Sequence, residues 1–303
     1  MNENLISILE RQLLQYRSFF AAGIIFKMRR FFSNPVKILI RMSQLKVWKN
    51  KFFLVKTKTF FGYTMTIHSF EYCLWFSGCL DGAEIGLQKY LIKHIQKNEV
   101  FMDIGAHHGF YSLLAHRLTD SALAQVHAFE PTDTHFPILK QNTKDYGNIV
   151  INKRAVCSGL GDRVFYETLG AGRTIEKNFF KNVASVKLSD FKEIKISCVT
   201  LDAYCAEKNI KPTFLKIDVE GSEYEVLLGG KKTIEEYHPV IVMEVWSKPH
   251  DNTNHIKAID FLREMKYQAF KIKEDGEIMP IEYFKLIESL SIPNSSDNYL
   301  FQS

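Results

Sequence analysis

VFMDIGAHHGFY, at residues 100–111, is the stretch that decides the fold of this chain. An apolar run ends in Asp103, and Gly105 and Gly109 then frame a loop that leads into a predicted helix. A second apolar run follows and ends in Glu130, 21 residues after Gly109. This order is typical of a nucleoside-cofactor site. Glycines let the backbone approach the ligand, a helix start offers free N–H groups, and the later acid accepts hydrogen bonds from ribose hydroxyls.

The spacing within this loop bears on which cofactor it binds. A dinucleotide site needs Gly-x-Gly-x-x-Gly, so that a pyrophosphate can lie against bare backbone. Here His107 stands where the second glycine would be and would crowd a pyrophosphate, and Asp103 would repel phosphate. S-adenosylmethionine (SAM) has a ribose and an ammonium group but no phosphate, so it fits the pattern better. The alternative is that two glycines and an acid merely form a strand-to-helix turn.

Strands and helices alternate along the chain, which predicts an α/β fold with a doubly wound, mostly parallel sheet of the Rossmann-like type. The predicted parallel strands are residues 100–103, 126–130, 149–156, 214–218 and 240–246. Helices are predicted at 83–96, 110–118, 134–144 and 201–208. Further predictions are a hairpin within 52–70, a short strand at 163–168, a loop or lid at 170–195, and late antiparallel strands at 267–272 and 299–302.

Acidic residues close four of the predicted parallel strands. They are Asp103, Glu130, Asp218 and Glu244. Ligands of open α/β sheets bind outside the carboxyl ends of the strands, so we expect these acids at one edge, beside the ligand. The structural alternative for each acid is a helix cap.

The stretch FLKIDVEGSEYEVLLGG, residues 214–230, carries a lysine inside a predicted central strand. A buried lysine is costly unless an acid pairs with it, so we expect Lys216 to pair with Asp218 or Glu244. Lys216, Asp218 and Glu220 alternate along the chain and share one face while the backbone stays extended. The alternatives are an ion pair that only fixes the strand end, or acids placed beside the transferring group.

Three motifs, VFMDIGAHHGFYS, HAFEP and LKIDVEGSEYEVLLGG, in this order and spacing, resemble the FkbM-type SAM-dependent methyltransferases. The resemblance covers about residues 82–272, and its third motif is the most specific. It implies a class I methyltransferase fold and O-methylation of a hydroxyl on a sugar, glycan, polyketide-like or lipid-linked acceptor. The cofactor-binding positions that it implies are Asp103, Gly105, Ala106, Gly109 and Glu130, with Asp218 near the methyl group. His107, in the same loop, is a further cofactor-binding candidate.

One departure from the family lies at His107, where the family usually has Asn. An imidazole can replace an amide as a hydrogen-bond partner, but it is bulkier, so this position bears directly on cofactor affinity.

Methylation of an alcohol needs a base, because the hydroxyl is a poor nucleophile until its proton leaves. We expect a side chain within about 2.6–3.2 Å of that hydroxyl. Glu220 is the first candidate, because it lies just past the strand end where an acceptor can reach it. His108 is the second, with a surface histidine as its structural alternative, and Asp218 and Glu244 are the others. A divalent ion on the three acids is an alternative way to acidify the hydroxyl, but no metal is predicted.

The composition indicates a globular protein in a reducing compartment. The 303 residues are 46% hydrophobic and 24% charged, which excludes a disordered chain. Five cysteines are scattered without a C-x-x-C pair. We therefore expect reduced, mostly buried thiols and no cysteine metal site.

The positive charge of the chain is concentrated at its start. Residues 1–60 carry twelve Lys/Arg and two acids, a net charge of +10, whereas the whole chain carries +5. We divide the chain into a basic amphipathic helical extension at 1–50, a hairpin with a lead-in helix at 51–98, and a SAM-binding domain at 99–303. The extension packs on its own domain or a second subunit, or lies on an anionic membrane surface.

Neither a signal peptide nor a membrane span is predicted. The longest apolar stretch of the extension, residues 19–26, has eight residues, whereas a span needs about 20. We expect a cytoplasmic protein, with peripheral attachment to the cytoplasmic membrane face as an alternative.

Three other functions remain as alternatives. A nicotinamide-dependent oxidoreductase or epimerase lacks support, because Gly-x-Gly-x-x-Gly is missing. A nucleic-acid methyltransferase is favoured by the basic extension, but DVEG occupies the place of the Asn/Asp-Pro-Pro-aromatic turn that base methylation uses, so nucleic acid is not the predicted partner. The third is a non-catalytic, membrane-attached binding module.

Overall fold

The computed structural model describes residues 2–21, 53–82, 84–168, 173–174, 191–247, 251–292 and 296–303. The chain divides into two compact units, Met1–Gly82 and Ala83–Ser303. Each unit is described by itself below.

The first unit contains helix α1 (Asn2–Ala21), the strands β1 (Leu54–Lys58) and β2 (Thr64–His68), and helix α2 (Tyr72–Ser77). The two strands pair in antiparallel register, which confirms the predicted hairpin. Helix α1 buries Leu5, Leu9 and Leu13. Residues 22–52, which include the larger part of the predicted basic extension, lie outside the described residues. None of the described helices is long and apolar enough to cross a membrane.

The second unit is built from alternating strands and helices. Its described strands are β3 (Val100–Ile104), β4 (Gln125–Phe129), β5 (Ile149–Asn152), β6 (Ala155–Val156), β7 (Gly161–Thr168), β8 (Arg173–Thr174), β9 (Phe191–Val199), β10 (Phe214–Ile217), β11 (Val240–Trp246), β12 (Gln268–Ile272), β13 (Ile278–Pro280) and β14 (Ser296–Gln302). Its described helices are α3 (Glu84–His94), α4 (Phe110–Leu118), α5 (Phe136–Thr143), α6 (Leu201–Lys208), α7 (Glu223–Gly229), α8 (Lys231–Tyr237), α9 (Thr253–Glu264) and α10 (Tyr283–Ser289).

The main sheet of the described residues has eight strands in the order β13-β12-β14-β11-β10-β3-β4-β5. Strands β3, β4, β5, β10 and β11 run parallel, and β12, β13 and β14 add antiparallel pairs at one side. This is the predicted α/β, doubly wound architecture. From β3 the chain continues through β4 and β5 on one side of the sheet and later through β10 and β11 on the other. The topological switch point therefore lies between β3 and β10, where such sheets bind ligands.

The central strands are apolar because they are buried on both faces by helices. Phe101 of β3 stacks on Phe214 of β10, with ring centroids 5.0 Å apart. The charged residues within the apolar strands β3 and β10 are Asp103 and Lys216, which are also buried. Charged groups in central strands need specific partners, and the partners locate the site described below.

A second, four-stranded sheet of the described residues has the order β6-β9-β7-β8 and corrects two predictions. The predicted strand at 149–156 is divided between β5 of the main sheet and β6 of this one. The C-terminal part of the predicted loop at 170–195 belongs to β9, which pairs antiparallel with β7 along its whole length. Exposed lysine and glutamate alternate with Ile194, Ile196 and Cys198 along β9, a half-buried strand pattern that its charge obscured. Residues 169–172 and 175–190 lie outside the described part.

All five cysteines are free thiols, as predicted, and only Cys73 is not fully buried. Asp275 and Gly276 lie in a turn, with Gly276 at a φ of 83°. It connects β12 to β13, a short strand that the sequence analysis did not predict.

Candidate active site

The register of the central strands brings the predicted acids to one edge of the main sheet. Asp103 lies opposite Lys216 in the β3–β10 pair, and Ile217 lies opposite Met243 in the β10–β11 pair. Asp218 and Glu244 therefore follow at the same level. Glu130 comes directly after β4, which pairs with β3 on the other side. The predicted juxtaposition at the carboxyl edge is confirmed.

The loop after β3 is fixed by the backbone of β4 and by the end of β10. Gly105 and Ala106 donate their N–H groups to the carbonyl oxygen of Phe129, at 3.1 and 2.9 Å. Gly105 has a φ of 88°, and a Cβ at this position would lie 1.8 Å from the carbonyl oxygen of Asp218. The glycine is thus required by close approach of two protein segments, in addition to any approach of a ligand. Gly109, at a φ of 87°, is the N-cap residue immediately before helix α4.

Glu130 is buried, and each of its carboxylate oxygens accepts hydrogen bonds, one from the loop after β3 and one from the segment after β4. Oε2 accepts the backbone N–H of His107 at 3.1 Å, and Oε1 accepts the N–H and hydroxyl of Thr132 at 3.0 and 2.6 Å. His107 has a φ of 52°, a backbone conformation that residues other than glycine rarely adopt. A ribose hydroxyl at Glu130 would share oxygens that already hold the loop. Sequence reasoning missed Thr132, although a threonine two residues after an acid is a recognisable turn signal.

Asp103 is 1% exposed and only partly satisfied. Its Oδ2 accepts the hydroxyl of Ser112 at 2.6 Å, whereas its Oδ1 has no hydrogen-bond partner among the described residues and lies 3.9 Å from Nζ of Lys216. Burial raises the pKa of the Asp103 carboxyl, and the charge of Lys216 opposes that rise. A buried acceptor oxygen of this kind is suited to a cationic donor.

Lys216 lies among acids and above an aromatic ring. Its Nζ bonds Oδ2 of Asp218 at 2.9 Å, as predicted, and lies 5.0 Å from the ring centroid of Tyr111. Burial lowers the pKa of Lys216, but the carboxylates of Asp218, Asp103 and Glu84 raise it by more, so the lysine stays charged. It is therefore the cation that permits a group of carboxylates to share this edge.

Glu84, at the start of α3, joins the site without having been predicted. It accepts hydrogen bonds from the hydroxyl of Tyr111 and from Nδ2 of Asn298, the latter at 2.9 Å. Burial raises the pKa of the Glu84 carboxyl, Lys216 lowers it and Asp218 raises it. Glu84 and Asn298 are far apart in sequence, and neither lies in a motif.

Glu244 faces other acids. Burial, followed by the charges of Asp218, Glu220 and Glu84, raises its pKa well above the ordinary value, and a hydrogen bond with Asp218 adds to the shift. Its Oε2 accepts the indole N–H of Trp246 at 2.9 Å. These surroundings favour the protonated form of the carboxyl, which can donate a hydrogen bond.

Glu220 lies in a strained turn between β10 and α7. Its φ is 53°, and Gly221 follows at 92°. A left-handed conformation costs a residue with a Cβ about 1–2 kcal/mol, so neighbouring contacts must hold it in place. The side chain is half-buried, which leaves part of it accessible to an acceptor.

His108 lies in a different group of side chains. It is buried, its Nε2 is 2.9 Å from Nδ1 of His135, and its backbone oxygen accepts Nδ2 of Asn142. The ring of His107 stacks on it at 3.7 Å between centroids. These contacts join His108 to helix α5 and the loop rather than to Asp218 or Glu220, which makes it a weaker candidate for the base than the turn acids.

The methyltransferase FkbM domain family matches residues 103–269, which is more than half of the chain. A curated relative, the hexuronic acid methyltransferase AglP of Haloferax volcanii, is 26% identical over 156 residues, 51% of this chain. The match spans 59% of the length of that relative.

Two solved structures are similar in fold. The methyltransferase FkbM of Methylobacillus flagellatus is 17% identical with a TM-score of 0.43, covering 69% of this chain and 44% of that one. The fibrillarin of Aeropyrum pernix, solved with natively bound S-adenosyl-L-methionine, is 9% identical with a TM-score of 0.38 and covers 73% of each chain.

Proposed function

Because this chain belongs to the methyltransferase FkbM family, we propose that it transfers a methyl group from SAM to a hydroxyl oxygen of a sugar, glycan or lipid-linked acceptor. The observation that carries the proposal is Oδ1 of Asp103, a buried acceptor without a hydrogen-bond partner among the described residues, next to the glycine loop at the switch point of the sheet. A partner with a positive charge and N–H groups would satisfy this oxygen, which favours SAM over a phosphate-bearing cofactor.

The residues present fit the ammonium and ribose groups of SAM. The ammonium group would donate a charge-assisted hydrogen bond to the buried Oδ1 of Asp103. The ribose would donate to Glu130, whose orientation the loop already fixes. When bound, SAM supplies an activated methyl group on sulfur, so the protein has mainly to align the acceptor oxygen with it.

The acids on the β10–β11 side favour a neutral acceptor. Asp218, Glu220 and Glu244 lie close enough for the first two to raise the pKa of the third, so an anionic acceptor would be repelled. A hydroxyl would instead donate to an ionised carboxylate and accept from a protonated one. We take Glu220 as the base that accepts the hydroxyl proton, because it lies just past the end of β10 with its side chain half-buried, whereas Asp218 is bonded to Lys216 and the pKa of Glu244 is raised.

A second candidate acceptor is the carboxylate of a uronic acid, since the Haloferax volcanii relative is named for methylation of a hexuronic acid, although the acids on the β10–β11 side disfavour an anion there. A carboxylate needs no base, and its product is a methyl ester instead of a methyl ether. The two products differ chemically, because alkali hydrolyses the ester and leaves the ether intact.

The test combines binding with product analysis. Calorimetry with SAM, its demethylated product and NAD should give a binding isotherm for the first two only. Glycans and glycolipids from cells with and without the active protein should then differ by one methylene unit in mass spectra, and the added methyl should survive mild alkali. An isotherm for NAD alone would contradict the proposal. An added methyl group that mild alkali removes would mean that the acceptor is a carboxylate and not a hydroxyl.

A further inference from the structure

Glu223 is a buried acid that the proposed reaction does not use. It is 0% exposed and is the first residue of helix α7. Its Oε1 accepts two backbone hydrogen bonds, from the N–H of Val219 at 3.2 Å and from the N–H of Gly221 at 3.3 Å. These two N–H groups belong to the residues on either side of Glu220. One carboxylate oxygen therefore holds both ends of the segment that presents the candidate base.

A second residue holds the same turn from another helix. Nδ2 of Asn254, near the start of α9, donates to the carbonyl oxygen of Gly221 at 3.1 Å. Gly221 is thereby fixed through both of its backbone polar groups. Glycine adopts its φ of 92° freely, whereas the φ of 53° at Glu220 is a conformation that persists only where surrounding contacts determine it.

The next residue of α9, His255, connects the two contacts. His255 is 0% exposed, and its Nε2 lies 3.3 Å from Oε2 of Glu223. Burial raises the pKa of Glu223 to about 7, while its backbone hydrogen bonds act against that rise. A buried carboxyl is costly to place, and here it is oriented by helix α9 on one side and by the turn on the other.

We propose that Glu223, Asn254 and His255 form a positioning clamp that sets the conformation of the Glu220 turn for methyl transfer. The proposal rests on the proposed function, because the clamp acts through Glu220. The three are positioning residues: their described contacts are with the turn and with each other. A displacement of about 1 Å at a reacting group costs about a hundredfold in rate, so loosening the turn should lower turnover more than cofactor binding.

The first test compares two asparagines of the same segment. Asn254→Ala removes the bond to Gly221, whereas Asn252→Ala removes a bond of the same type from Nδ2 of Asn252 to the carbonyl oxygen of Leu290. Each full-length variant is assayed for transfer of labelled methyl from SAM to the glycan fraction of cells lacking the active protein. Amide hydrogen exchange of a peptide covering 219–222 and the affinity for demethylated SAM are measured on the same samples.

For Asn254→Ala we expect exchange in the turn to be at least about tenfold faster and the turnover at saturating SAM to fall by about tenfold to a hundredfold. Affinity for demethylated SAM should stay unchanged, and Asn252→Ala should resemble the unmodified protein in all three measurements. Unchanged exchange in Asn254→Ala, or faster exchange with full turnover, would overturn the clamp.

The second test uses Glu223 itself. Glu223→Gln keeps a carbonyl oxygen that can accept both backbone bonds and should retain turnover within about threefold. Glu223→Ala should lose about a hundredfold. If Glu223→Ala does not fold, Asn254→Ala with its control still decides. A loss of equal size in Glu223→Gln and Glu223→Ala would contradict positioning through the Oε1 bonds. If the unmodified protein transfers no methyl group, the proposed function is refuted. If the unmodified protein is active and the variants are equally active, only the clamp is refuted.

Discussion

Glu130 and Glu244 are the same type of side chain at the same edge of one sheet, but their surroundings are opposite. Glu130 is bound by the N–H groups of His107 and Thr132 and by the Thr132 hydroxyl. Glu244 is bound by the indole of Trp246 and faces Asp218 and other acids, which raise its pKa. The first carboxylate is prepared to accept hydrogen bonds, and the second to keep a proton.

The difference extends to the two halves of the site. On the β3–β4 side, a loop built around glycines gives a rigid acceptor surface suited to a cofactor. On the β10–β11 side, acids are crowded around Lys216, and the turn that follows is strained. This difference supports the proposal that the first half binds the cofactor and the second half carries the proton chemistry.

The largest effect is expected at Glu220. Glu220→Gln keeps the size and hydrogen-bonding reach of the side chain but cannot take the hydroxyl proton, so turnover should fall by about 10²–10⁴-fold. Affinity for SAM should stay the same, because the change lies on the β10–β11 side. The measurements are initial rates of methyl transfer and calorimetry.

The matched control for this change is Glu264→Gln, an exposed glutamate on helix α9. It should leave both quantities unchanged. If Glu220→Gln retained its turnover, Glu220 would not be the base, and the division into two halves would lose its chemical part.

Lys216 is expected to have the next largest effect, on stability. Lys216→Met leaves Asp103 and Asp218 without their cation, and breaking a buried pair costs about 3–5 kcal/mol. The free energy of unfolding should fall by about 3 kcal/mol, the lower end, because Asp218 is partly exposed. Urea denaturation at pH 7 and at pH 5 measures this, and the loss should shrink at the lower pH as the acids bind protons.

Lys271→Met is the control for Lys216→Met. Lys271 pairs with Asp297 at 2.6 Å, but both side chains are substantially exposed, so this change should cost at most about 1 kcal/mol. Equal costs for the two lysines would mean that the crowded acids do not depend on Lys216.

Much of the site was readable from sequence because strand ends meet at one edge. Apolar runs that end in Asp103, Glu130 and Asp218 place those acids without any knowledge of tertiary contacts. Pairing of Lys216 with an acid also follows, because a buried lysine has few alternatives. Which of the two acids, Asp218 or Glu244, pairs with Lys216 depends on side-chain geometry.

Other parts of the site depend on contacts between distant segments. Glu84 meets Asn298 across 214 positions of sequence, and no local pattern marks either residue. The reason for Gly105 is likewise a close approach to Asp218 that only the packed sheet produces. Strand β9 was missed because its charged residues weaken β propensity, although pairing with β7 overrides that preference.

A third prediction concerns pH and stability. Burial raises the pKa of Glu223 to about 7 from an ordinary value of 4.5, so between those values the folded protein holds a proton that the unfolded chain releases. Its contribution to stability therefore falls as the pH rises from about 4.5 to about 7, by about 3 kcal/mol in total. The groups facing it are the N–H donors of Val219 and Gly221, His255 of α9, and the charge of Asp218.

Glu223→Gln tests this directly, because glutamine does not titrate. Urea unfolding at a series of pH values should show that the free energy of unfolding of the variant increases relative to that of the unmodified protein as the pH rises from about 4.5 to about 7. Parallel stability curves would mean that Glu223 titrates normally, and that crowding on the β10–β11 side does not extend to helix α7.

The smallest effect is expected at Asp103, and its two consequences have opposite signs. Asp103→Asn can still accept the hydroxyl of Ser112, but it presents no negative oxygen to an ammonium group. SAM affinity should fall by about tenfold to a hundredfold, the range of a hydrogen bond to a charged group. Because burial raises the pKa of the Asp103 carboxyl, the neutral amide should at the same time stabilise the free protein by about 1 kcal/mol. Calorimetry and urea unfolding measure the two, with the exposed Asp145→Asn as the control. Loss of both affinity and stability would indicate a structural role for Asp103, whereas loss of affinity with a gain of stability would identify an acid kept for its ligand.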